Sequence, residues 1–148
     1  MIVKIFKGVW LLSLLATLVI FLYVYASLPE DIELSRGEAV PAFTLSRTGL
    51  FYLTLAILSF FNLLVFVFAR LFRKNNELFA AWFYGLVTFL HLFLIVALQF
   101  FNLYNSLENY NYESIGYIIY GSIGLVVTWF SLWPVYFIYG KFFNKPAI

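Results

Sequence analysis

The chain has 148 residues, of which 64% are hydrophobic and 11% charged, with a net charge of +2 and no cysteine. A soluble domain carries roughly 25% charged residues, so this composition predicts a single domain whose main solvent is lipid. The missing cysteines exclude disulfides, thiolate nucleophiles, zinc–thiolate sites, iron–sulfur clusters and thiol electron relays.

In chain order, the first charge-free run extends from Gly8 to Pro29, behind Lys4 and Lys7. Val24-Tyr25-Ala26 before Ser27 has the small residues a signal peptidase prefers, but the apolar stretch exceeds a signal core. It predicts a retained transmembrane helix over residues 8–26. An outer loop, 27–47, follows, bracketed by Pro29 and Pro41 and carrying Glu30-Asp31-Ile32-Glu33. The run from Thr48 to Ala69 predicts a second helix over 48–70, followed by a short basic loop, 70–77, with Arg70, Arg73 and Lys74. The run from Leu78 to Leu107 predicts a third helix over 78–103, and the outer loop 104–113 after it is rich in Asn, Tyr and Ser. The last run, Ser114 to Gly140, predicts a fourth helix over 114–139, which Pro134 is expected to kink near its inner end. About 20 apolar residues cross the hydrocarbon core as a helix, and each run reaches that length. Barrel strands would alternate in polarity, whereas these runs are apolar on all faces. The expected fold is therefore all-α, an integral membrane four-helix transmembrane bundle.

Charge gives the threading. Lys4, Lys7, Arg70, Arg73, Lys74, Lys141 and Lys145 fall on one side of the four runs, and Glu30, Asp31, Glu33, Glu38, Glu108 and Glu113 on the other. Only Arg36, Arg47 and Glu77 break the pattern. The loops are short, the regime in which basic residues stay cytoplasmic, so both termini and the 70–77 loop are expected inside, an N-in/C-in topology. Trp10, Trp82, Trp133 and Tyr136 then lie near the inner interface and Tyr23, Tyr52 and Tyr104 near the outer one, where amphipathic rings settle.

Inside lipid, helices associate through small residues and a few hydrogen bonds. Tyr117, Gly121, Gly124, Thr128 and Ser131 step by four, three, four and three along the fourth helix and form one face. That face is expected either to pack within the bundle or to dock another membrane protein subunit. A candidate intramembrane polar site comprises Ser59, Asn62, Tyr84, Thr88, His91 and Gln99, with Ser13 and Thr17 on the first helix. At about 1.5 Å per residue, Asn62 lies about 12 Å and His91 about 20 Å from the inner ends of their helices. This offset argues against a direct Asn62–His91 hydrogen bond and puts Ser59 nearer in depth.

His91 is the single histidine, deep in its run, and three roles are open to it: a helix cross-link, a contact to a bound lipid or quinone, or proton transfer. One histidine cannot supply bis-histidine haem ligation, and no Asp, Glu, Lys or Arg lies within a run to couple transport to ions. No phosphate loop, nucleophile elbow or zincin motif is present. The acidic outer loop follows no calcium-loop pattern, and nothing beyond charge points to nucleic acid. No cofactor, metal site or catalytic residue is expected. Besides the lipid bilayer, the expected partners are other membrane subunits.

Ser27-Leu28-Pro29-Glu30 after the first run, Leu45-Ser46-Arg47 before the second, and Phe51-Tyr52 with Phe61-Asn62-Leu63-Leu64 inside it lie between residues 27 and 64. With these residues the sequence resembles small uncharacterised four-helix inner-membrane proteins of Bacteroidota. The resemblance implies a bacterial cytoplasmic membrane and transfers no activity or site. The functional expectation is a non-catalytic accessory or scaffold subunit of a larger inner-membrane complex. The alternative is a small binding or transport protein with a pocket for a quinone, lipid or other apolar molecule around His91.

Overall fold

The computed structural model describes residues 2–33, 44–72, 77–106 and 112–143. Arg36, Glu38, Pro41, Arg73, Lys74, Glu108, Tyr110 and Lys145, with much of the expected loops, lie outside the described residues. The elements run α1 (Ile2–Ser27), β1 (Asp31–Glu33), β2 (Thr44–Ser46), α2 (Arg47–Phe72), α3 (Glu77–Tyr104) and α4 (Tyr112–Phe143). Each of the four helices is long and apolar enough to cross a membrane. Large apolar side chains such as Leu12, Val19, Leu63, Phe66, Ile118, Val127 and Phe137 stand exposed on their outward faces. Water would not tolerate so continuous an apolar surface.

Contacts at the helix ends fix an up-down-up-down order. Ser27 Oγ near the end of α1 donates to Asn102 Oδ1 near the end of α3 (2.9 Å). At the opposite end, Phe6 of α1 packs against Trp129 of α4, and Phe79 of α3 packs edge-on to Trp133 of α4. The central helix is α3, which packs against each of the other three and most extensively against α1. Its buried residues include Ala80, Tyr84, Val87, His91, Leu94 and Leu98, a stripe at alternating steps of four and three. On α1 the matching stripe is Ser13, Thr17, Phe21 and Val24.

Beside the four helices, the described ends of the expected outer loop 27–47 form one short strand pair. Asp31, Ile32 and Glu33 pair antiparallel with Ser46, Leu45 and Thr44. Alternation explains the pairing: Ile32 is fully buried between two exposed carboxylates. It joins an apolar cluster of Phe21, Val24, Leu28, Leu50 and Leu98 that seals this end of the bundle. The Asn105 side chain extends the small sheet. Its Oδ1 accepts from Glu33 N–H (2.8 Å) and its Nδ2 donates to Glu33 O (3.2 Å), so the side-chain amide acts as a third strand. The strands deliver the chain straight into α2, whose Ser46 Oγ caps it by accepting from Gly49 N–H (3.0 Å). Arg47 ties the hairpin to α1, donating from its backbone to Glu30 O (2.8 Å) and from its guanidinium to Leu28 O (3.2 Å). The guanidinium also lies 5.4 Å from the Tyr25 ring centroid.

A second apolar cluster, Val65, Tyr84 and Val87 with Phe6, Phe61 and Phe83 against it, fills the opposite half. Between the two clusters lies a thin polar layer. The helix α4 continues through Pro134 to Phe143, on the rim of the bundle.

Candidate functional site

The polar layer brings three helices together on His91. Ser13 of α1 and Asn62 of α2 reach its two ring nitrogens, at 2.9 Å (Oγ to Nδ1) and 3.2 Å (Nδ2 to Nε2). Trp10 Nε1–H donates to Asn62 Oδ1 (3.0 Å), and Ser13 Oγ–H donates to Trp10 O (2.8 Å). Counting protons assigns every bond. An indole nitrogen only donates, so it fixes the amide with Oδ1 toward Trp10 and Nδ2 toward His91. The Asn62 Nδ2 protons then go to Leu58 O (2.7 Å) and to His91 Nε2, which must be an acceptor. The single hydroxyl proton of Ser13 is used on Trp10 O, so Nδ1 carries the imidazole proton and donates it to Ser13 Oγ. The result is a closed ring of bonds from the Trp10 indole through Asn62, His91 and Ser13 back to the Trp10 carbonyl. Thr17 Oγ1 extends it by donating to Ser13 O (2.7 Å).

This arrangement corrects the expectation about depth. Asn62 and His91 do bond, because side chains lean toward the amino terminus of their own helix. The helices α2 and α3 are antiparallel, so the two side chains lean toward each other and close an offset that their backbones would leave open. Ser59 is exposed and does not join the layer. The inward stripe of α2 comprises buried Thr54, Leu58 and Val65 with half-buried Asn62, and Ser59 lies one residue, about 100°, around from Leu58.

The other expected site residues are scattered. Tyr84 is buried two turns before His91 on α3, with its ring 5.6 Å from that of Trp10. Thr88 is buried but donates to Tyr84 O (2.9 Å) on its own helix. Gln99 is half-buried two turns beyond His91. Among the described residues every buried side-chain nitrogen and oxygen has a hydrogen-bond partner. His91 has no exposed surface and both its nitrogens are engaged, so a ligand reaches it only by breaking the ring. No three His, Asp or Glu side chains among the described residues converge as a metal site would require.

The small-residue face of α4 does not pack within the bundle, contrary to one of its two expected roles. Tyr117, Gly121, Gly124, Thr128 and Ser131 are all exposed. A Cβ built at Gly121 or Gly124 would meet no neighbouring atom within 4 Å. Ser131 turns its hydroxyl back to Val127 O (2.8 Å). The opposite face, with Ile119, Ser122, Val126, Trp129 and Trp133 half-buried, meets the bundle instead. Its aromatic side chains offer α3 more contact area than the glycine face can.

The close helix approach that sequence reasoning missed is on α3, at Gly85. A Cβ there would overlap the Trp129 ring. The indole lies in the notch and is locked by two reciprocal bonds: Trp129 Nε1–H donates to Trp82 O and Trp82 Nε1–H to Trp129 O, both 2.9 Å. Trp10, expected at the inner interface, instead bonds Asn62 and Ser13 inside the layer. The spacing of three between Trp10 and Ser13 on α1 was the available signal, since it places the indole and the hydroxyl on one face.

No protein-family model, no curated protein and no solved structure matches the chain.

Proposed function

We propose that the chain is a non-catalytic accessory or scaffold subunit of a larger assembly in a bacterial cytoplasmic membrane, threaded with both termini inside. The open face of α4 carries this reading: Gly121 and Gly124 stand clear of every neighbouring side chain, on a helix with no buried residue between Gly116 and Tyr139. Between lipid-exposed helices, such small residues let a partner backbone come close and gain dispersion contact. The rest of the bundle supports a structural role, because the side chains of its central polar layer are spent on one another and on backbone carbonyls. The expected pocket around His91 gains no support from a buried and fully bonded imidazole. Respiratory, protein-export and motility machines are all suitable hosts.

The test is recovery of the tagged chain at native abundance in mild detergent, followed by mass spectrometry. A defined complex is expected at fixed stoichiometry. Gly121→Leu with Gly124→Leu should release the partner while the bundle itself stays folded, since both positions have room for the side chain. Retention of every partner by that variant would remove the docking role from this face.

A further inference from the structure

The seam between α3 and α4 is tight at one end and open at the other. Ala81, Gly85, Leu92, Val96 and Gln99 recur at steps of four, seven, four and three, so one face of α3 carries them all. Ala81 and Gly85, toward the start of α3, are buried, and a Cβ at Gly85 would overlap the Trp129 ring. Farther along the same face, toward the hairpin end, Leu92 is exposed and Val96 and Gln99 are only half-buried. The contacts made by α4 follow the same gradient. The reciprocal indole bonds of Trp82 and Trp129, the ring pairs of Trp129 with Phe6 and Phe89, and those of Phe130 and Trp133 with Trp82 all fall within residues 129–133 of α4. Over residues 116–128 no side chain hydrogen-bonds to another helix among the described residues. Ser122, on the side that meets the bundle, spends its hydroxyl on Ile119 O of its own helix (2.7 Å). Ile119 and Val126, both half-buried, supply the apolar contact of this stretch.

Lipid makes this difference decisive. Acyl tails are as apolar as the side chains, so parting Ile119 and Val126 from α3 exchanges one set of dispersion contacts for another. Parting Trp129 from Gly85 instead breaks two hydrogen bonds that hydrocarbon cannot replace. A segment held by few contacts opens locally while a better-held one stays closed. We propose that α4 is a hinged arm: residues 129–133 are a fixed pivot on α3, and residues 116–128 swing away from α3 and back. Crossing angles of packed helices vary by about 15–20°. Ile118 lies about 16 Å along the arm from Trp129, so that variation moves it by about 4–6 Å, whereas Leu132, beside the pivot, moves by about 1 Å. The arm rests on packing within this chain and holds with or without a partner subunit on the face that carries Gly124.

The chain has no cysteine, so pairs of spin labels at exposed positions of the full chain in phosphatidylcholine nanodiscs read the motion. Leu53→Cys with Ile118→Cys joins α2 to the far part of the arm, and Phe66→Cys with Leu132→Cys joins α2 to the pivot. Leu53→Cys with Leu22→Cys joins α2 to α1 at the hairpin end and serves as the fixed reference. Electron–electron distance measurements are expected to give narrow distributions for the pivot and reference pairs. The pair at Leu53 and Ile118 should be broader by about 4–6 Å. Trp82→Phe with Trp129→Phe keeps two aromatic rings and removes both reciprocal bonds, so it should broaden the pivot pair as well. A distribution for Leu53 and Ile118 as narrow as the other two overturns the arm. Breadth shared by the reference pair assigns the motion to α2 and overturns it equally. A pivot pair that is already broad in the natural chain, or that stays narrow in the double tryptophan variant, overturns the pivot.

Discussion

Gly85→Leu is expected to pull α4 away from α3, whereas Gly121→Leu and Gly124→Leu leave the two helices where they are. The same chemical change meets opposite surroundings. At Gly85 the added carbon enters the space of the Trp129 ring, and that ring cannot step aside. Its nitrogen is bonded to Trp82 O, and it packs against Phe89 at 5.1 Å and Phe6 at 5.9 Å between ring centroids. Even Gly85→Ala sets an overpacking cost of about 1–3 kcal/mol against about 1 kcal/mol of helix propensity gained, so it should destabilise mildly. Leucine cannot fit without breaking the reciprocal indole bonds as well. The chain has no cysteine, so a spin-label pair at Leu92 of α3 and Ile123 of α4, both exposed, reads the separation directly. A lengthened or broadened distance in Gly85→Leu alone is the expected result. An unchanged distance there would mean that Trp129 is not the wedge between these helices.

His91→Ala should be the most destabilising change in the polar layer. It deletes bonds to two other helices and leaves an Asn62 N–H without its acceptor. Single interhelical hydrogen bonds in membranes average about 0.6 kcal/mol and reach about 1.7, so two of them together with a cavity suggest a loss of about 2–4 kcal/mol. Because the bonds form a ring, the losses should not add: Asn62→Leu introduced on top of His91→Leu should cost clearly less than Asn62→Leu alone. Steric trapping or denaturant unfolding in bicelles measures the cycle. Additive losses would show that the four side chains act separately. The proton count makes a second, sharper demand. Nitrogen NMR shifts of His91 should show a protonated Nδ1 and an unprotonated Nε2, the less common tautomer of imidazole in water.

The helices were legible because lipid imposes a plain rule on composition: a run such as Thr48 to Ala69, with no charge and no break, has one viable structure. The members of the polar layer were partly legible, since His91 and Asn62 are conspicuous in apolar runs. Their pairing was not, because a depth estimate counts backbone rise and ignores the lean of side chains on antiparallel helices. Small residues misled in a related way. The series from Tyr117 to Ser131 has helical periodicity, which establishes that it is a face and not what the face meets. Gly85 has only Ala81 as a small companion at helical spacing, and its role depends on Trp129, 44 positions along the chain. The strand pair was beyond reach for another reason: three residues on each side of a long connection carry too little pattern, and only the burial of Ile32 explains them.

The two ends of the bundle divide its labour. At one end the strands, Asn105 and Arg47 tie the helix termini together, and at the other Phe6, Phe79, Trp129 and Trp133 pack α1 and α3 against α4. Between them a self-satisfied polar layer sets the register of α1, α2 and α3. The helix α4 is held by one edge, through Trp129 and its neighbours, and leaves the opposite edge exposed.

That open edge is tested most directly by site-specific photo-crosslinking in intact membranes. A photoreactive side chain at Gly124 of α4 is compared with one at Leu15 on the exposed side of α1, both in the otherwise natural chain. The account predicts a discrete protein adduct, of one mass, from Gly124 and only lipid adducts from Leu15. Lipid adducts alone from Gly124, or the same protein adducts from both positions, would contradict a subunit interface on α4.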